Sequence, residues 1–131
     1  MRFMMILKSD ADSEAGVPPP PGMFEAMGRY NQELIKAGVM LTCDGLQPSS
    51  KGARIKTSGD KRSVVDGPFT ESKELVGGYW LIQVKSKAEA IEWAKRVPNP
   101  YHKGEFEIEL RQLYDVSDFT DVPKEVAEMK K

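Results

Sequence analysis

Two stretches of this sequence are apolar on both sides of an extended chain. Residues 3–8 read as a strand with Phe3, Met5 and Leu7 on one face and Met4 and Ile6 on the other. Residues 75–84 read as another, with Tyr79 and Leu81 pointing one way and Trp80, Ile82 and Val84 the other. Strands of this kind belong to a sheet whose two faces are both covered.

The rest of the chain supplies cover for one face. Residues 10–22 read as a loop in which Pro18 to Pro21 form a stiff, extended connector. Residues 23–37 read as a helix, since Met23, Met27, Tyr30, Leu34 and Ala37 follow one apolar stripe and Gly38 ends it. Residues 39–46 read as a strand and 47–52 as a polar turn region. Residues 53–57 and 62–65 read as two short strands joined by Ser58-Gly59-Asp60-Lys61, a hairpin at the sheet margin. Ser86 with Glu89 three residues later is a capping box. It opens a helix through Ala90, Ile91, Trp93, Ala94 and Val97, which Pro98 and Pro100 stop. Residues 105–114 read as the last strand, with Phe106, Ile108 and Leu110 on one face and Glu105, Glu107, Glu109 and Arg111 on the other. Residues 115–131 read as a polar tail, with a short helix from Lys124 onward.

Without the hairpin, the order is βαββαβ, the split pattern of ferredoxin-like α+β domains. Both helices then cover one face of an antiparallel sheet. The other face is still apolar on at least two strands, and bare apolar area of that size is costly in water. A second copy related by two-fold symmetry covers it most economically, so a homodimer through the sheet face is expected.

The bulk properties limit the possible functions. The 131 residues suit one domain, and 40% hydrophobic content suffices for its core. With 19 basic and 20 acidic side chains, no basic excess exists to neutralise a phosphate backbone, so no nucleic-acid partner is expected. The single cysteine, Cys43, excludes an internal disulfide and fits a reducing cytoplasm. One histidine and one cysteine are too few for a structural zinc site, and no cofactor is implied. The apolar N-terminal run ends at Lys8, too early for a signal peptide. No stretch is long enough to span a bilayer, so no membrane partner is expected.

The most informative segment is Asp66-Gly67-Pro68-Phe69-Thr70-Glu71. Asp-Gly is a turn dipeptide and Pro68 fixes the next step, so Gly67 and Pro68 form a tight corner. Hydroxyl and charged groups crowd the residues after it. Gly77 and Gly78 then interrupt a strand, which marks a bulge or a close approach by a ligand or another chain. Asp66 is the candidate general base if partial burial raises its pKa, and otherwise caps the turn. Glu71 and Lys73 could position an anionic or hydroxylated ligand, or be solvated loop charges. Arg111 could bind a carboxylate, or neutralise Glu107 and Glu109. Tyr30 and Phe69 are candidate cleft walls, or core. His102 lies in a loop flanked by proline and glycine, and Cys43 reads as a small buried strand residue rather than a nucleophile.

Asp66 to Glu74, followed by Gly77-Gly78-Tyr79-Trp80, resembles the YCII-related proteins, in the branch named for its Asp-Gly-Pro-Phe motif. Gly45-Leu46-Gln47-Pro48-Ser49, Ala90-Ile91-Glu92-Trp93-Ala94 and Glu107-Ile108-Glu109-Leu110-Arg111 extend the likeness over residues 1–114. The resemblance implies a ferredoxin-like domain that forms a dimeric α/β barrel, with a cleft near the motif for a small polar or anionic molecule. It leaves open a lyase- or isomerase-like acid–base enzyme and a noncatalytic dimer associated with sigma-factor systems. A distant branch pairs a histidine with an aspartate for acid–base chemistry. Here the corresponding helix carries Met27 and Tyr30 instead.

Overall fold

The computed structural model describes residues 1–71, 74–99, 106–120 and 123–129. Among these residues six strands are formed: β1 (Arg2–Lys8), β2 (Met40–Gly45), β3 (Ala53–Ser58), β4 (Lys61–Asp66), β5 (Val76–Gln83) and β6 (Ile108–Gln112). The helices are α1 (Ala11–Glu14), α2 (Met23–Lys36), α3 (Lys87–Lys95) and α4 (Lys124–Met129). Four strands pair antiparallel in the order β2-β5-β1-β6. With β3 and β4 set aside, this is the ferredoxin-like order, and the α+β architecture read from the sequence is the one observed.

The register sorts side chains onto faces as the alternation predicts. Met5 lies opposite both Trp80 and Leu110, and Phe3 lies opposite Ile82. These residues join Tyr30 and Leu34 of α2 and Ala90 of α3 in one core, so both helices cover the same sheet face. Met5, Leu34 and Ile82 are fully buried, each contributing about 1.5–3 kcal/mol of transfer free energy. On the opposite face, Met4 pairs with Leu81 and Ile6 with Tyr79, all half-buried.

Several elements differ from their sequence expectation. The hairpin does not join the sheet margin. Among the described residues β3 and β4 pair only with each other, as a separate two-stranded ribbon, every residue of which is exposed. The expected loop at 10–22 contains α1, capped by the Asp10 carboxylate accepting from Ser13 N at 2.7 Å. Asp10 and Ser13 are adjacent enough for a local cap, which favours one helical turn. In α2 the buried stripe is Ala26, Tyr30 and Leu34, while Ala37 is the exposed C-cap and Gly38 takes φ 74°. Ser86 caps α3 by accepting from Glu89 N at 3.1 Å. The returning Glu89 carboxylate bonds the amide of Lys85, one residue before the cap, at 2.9 Å. The tail forms a 3-10 turn at Val116–Asp118 before α4.

Candidate functional site

Three loops meet at the root of the ribbon. After β2, residues Ser49–Lys51 make one 3-10 turn. At the close of the ribbon, Gly67 N donates to Gly52 O at 3.0 Å. A β-carbon on Gly67 would lie 1.8 Å from the Ser49 carbonyl oxygen, so only glycine allows the two strands of backbone to pass. The Gly67–Pro68 peptide is cis. Phe69 N then donates to Ser49 Oγ at 2.9 Å. The same hydroxyl donates to Glu14 Oε2, and Ser49 N donates to Glu14 Oε1 at 3.0 Å. One carboxylate at the end of α1 thus ties down the turn, and the turn ties down the motif. Arg54 of β3 stacks over the Phe69 ring at 3.8 Å to the centroid, a favourable cation–π geometry.

Asp66 ends β4 opposite Ala53 and is exposed. Among the described residues no group donates a hydrogen bond to its carboxylate, and the Ser49 hydroxyl performs the capping role. Glu71 is exposed, and its carbonyl accepts from Glu74 N at 2.9 Å. Gly77 falls at the bulge, where the partner of Lys8 shifts from the expected position to Val76. Gly78 is buried, and a β-carbon there would stand 3.1 Å from Asp44 O, so this glycine lets β2 approach. Lys73 and His102 lie outside the described residues.

Tyr30 and Arg111 are not brought to this root. Tyr30 sits in the core, its hydroxyl donating to Trp93 O at 2.7 Å and its ring edge-on to Trp80 at 5.7 Å. Burial pushes its phenol well above the usual tyrosine range. Arg96 opposes that shift, and Glu33 adds to it. Arg111 stands on the outer face of β6, across from Met4, with Nη1 3.4 Å from Glu109. Burial raises the Cys43 thiol, and the neighbouring Asp44 charge adds to this.

Glu14 and Arg54 carry no signal in the sequence, because neither belongs to a recognisable motif. Ser49 ends the Gly45-Leu46-Gln47-Pro48-Ser49 stretch, and its place before a polar turn was the only hint available. A separate groove of about 540 Å³ lies between α3 and β6. Among the described residues its walls are Ile91, Ala94, Val97, Phe106, Ile108 and Leu110, with Lys95 and Asn99 as the polar lining. β6 is the edge strand farthest from β2, from which the ribbon departs. Among the described residues no three His, Cys, Asp or Glu side chains converge as metal ligands would, and no helix is long and apolar enough to cross a membrane.

A four-stranded ferredoxin-like sheet carrying an inserted ribbon on an Asp-Gly-Pro-Phe root defines the class. The family model of the YCII-related domain matches residues 1–115. The chain belongs to that family. It is also 31% identical over 89 residues to a protein of Rhizobium meliloti (strain 1021) named uncharacterized protein R00369, covering 67% of this chain and 72% of the relative.

Proposed function

We propose that this chain, within the Asp-Gly-Pro-Phe branch of its family, is a homodimer that binds a small molecule without transforming it. The observation that carries this reading is the groove between α3 and β6. Among the described residues six apolar side chains wall it, and the one cation in that lining, Lys95, is exposed and within 3.3 Å of Glu92. Such a lining suits a small apolar molecule with an anionic end. Among the described residues the lining offers no acid–base pair for proton transfer. The alternative base, Asp66, has no orienting donor and no second acid–base side chain bonded to it among the described residues, so the geometry lends catalysis less support. Dimerisation is supported by the outer sheet face, where Met4, Ile6 and Leu81 adjoin and both long helices lie on the opposite side.

Titration with octanoate and with 1-octanol, followed by shifts of backbone amide resonances, tests the binding reading. Both are expected to shift residues of α3 and β6. Ala94→Trp, which fills the groove, should abolish the shifts. Lys95→Gln should weaken octanoate several-fold and leave octanol unchanged. Failure of both probes to bind, or shifts confined to the ribbon root, would reject the groove as the site.

A further inference from the structure

The ribbon presents a surface that its own chain leaves bare. Ile55 and Val64 face each other across β3 and β4 and are 63% and 67% exposed. Arg62, opposite Thr57, lies on the same ribbon face two residues along. Among the described residues Lys56, Lys61 and Arg62 have no ion-pair partner. An isolated two-stranded hairpin is marginal in water, yet this one is fixed at its root by Gly67, Ser49, Glu14 and the Arg54–Phe69 stack. That root sets the direction in which the ribbon leaves the sheet.

The charge pattern indicates what the arm meets. Residues 51–66 hold five cations against two carboxylates, a net +3 in a chain of net −1, so the remainder carries −4. One part of that remainder combines acid with exposed apolar surface. Tyr114 and Phe119 stack at 4.7 Å between ring centroids, 71% and 49% exposed, and Asp115 and Asp118 lie between them in sequence. An aromatic pair with two carboxylates complements an aliphatic pair with an arginine.

The topology keeps these two patches apart within one chain. β2 runs parallel to β1 and β6 antiparallel to it, at opposite edges of the sheet. The ribbon therefore departs from one corner and the tail from the diagonally opposite one, roughly 14 Å across and 20 Å along the sheet. Leu113 N on Arg2 O and Arg2 Nη2 on Tyr114 O, both at 2.9 Å, pin the start of the tail to its corner. A two-fold axis lying in the sheet interface along the other diagonal exchanges the two corners. It brings ribbon to tail twice in an isologous pair.

We propose that the β3–β4 ribbon is an arm that clasps residues 113–119 of a second copy, Ile55 and Val64 against Tyr114 and Phe119, with Arg62 toward Asp115 and Asp118. This rests on the homodimer proposed above. Two chains test it, each with Cys43→Ala, one carrying Thr57→Cys and the other Ser117→Cys. Thr57 and Ser117 lie outside the core, Cys43 packs at its edge, and circular dichroism checks that each chain is folded. Particle mass is measured by light scattering, and the mixture is then oxidised. The expected result is a dimeric mass and a disulfide-linked pair that forms in the mixture but from neither chain alone. Ile55→Asp with Arg62→Glu should raise the dimer Kd about tenfold or more. A dimeric mass without the cross-link, or an unchanged Kd, assigns the ribbon to some other partner and overturns the inference while the dimer stands. A monomeric mass overturns both. A bond formed within one chain when both cysteines are placed together, in a monomer, assigns the contact to the chain's own tail and likewise overturns it.

Discussion

Replacing Gly67 with alanine sets a carbon 1.8 Å from the Ser49 carbonyl oxygen, a backbone atom that cannot swing aside. The ribbon root must open, at an expected cost of about 1–3 kcal/mol, measured from urea unfolding. Ser49→Ala leaves the Phe69 amide and the Glu14 carboxylate without their shared hydroxyl. A loss of about 1–3 kcal/mol is expected from these half-buried groups. Asp66→Asn should change stability by no more than about 0.5 kcal/mol, as at an ordinary surface position. If Asp66→Asn proved the most damaging of the three, the assignment of the anchoring role to Ser49 would be wrong. At this scale the motif was legible and its anchors were not. Glu14 lies 35 residues before Ser49, and Phe69 lies 20 after it. Hydrogen bonds between loops impose no spacing on the sequence that connects them.

Between elements, Lys8 of β1 and Glu109 of β6 form an ion pair at 3.2 Å across adjacent strands. The hydrogen bond from Lys8, then its charge, then the hydrogen bond from Arg111 hold the Glu109 carboxyl below the usual glutamate range. The unfolded chain therefore takes up this proton more readily than the folded one. The pair's contribution is complete above the ordinary glutamate pKa and disappears as pH falls through the lowered folded value. Glu109→Gln should flatten the acid limb of the stability–pH curve and leave its slope above neutrality unchanged, as read from urea midpoints. An acid limb equally steep in the variant would show that the slope comes from other carboxyls. Strand and helix identities were legible because alternation and the three-four stripe report directly on burial, as at Phe3, Met5 and Leu34. Ala53-Arg54-Ile55-Lys56 has the same alternation, yet no part of the ribbon is buried. Alternation shows that a strand could have an inside face, and only its neighbours determine whether one exists.

For the whole molecule, the proposed dimer depends on the apolar sheet face opposite the helices. Leu81 stands at its centre, opposite Met4 and beside Thr42. Under the proposed dimer, Leu81→Asp buries a carboxylate against its symmetry mate and should yield a folded monomer. Light scattering gives the mass, and circular dichroism confirms the fold. A folded Leu81→Asp dimer would move the interface off this face. The groove, by contrast, depends on how α3 crosses β6, a relation that no local pattern encodes.

From its sequence alone this protein was bound to be an α+β domain with a βαββαβ core, because burial periodicity follows from local geometry. The sequence also marked Asp66 to Glu71 as unusual, since glycine and proline have few other reasons to sit there. Only the tertiary structure separated the ribbon from the sheet and tied its root to Glu14 and Ser49. These outcomes depend on contacts between residues far apart in the chain, and such contacts exist only once the elements have packed.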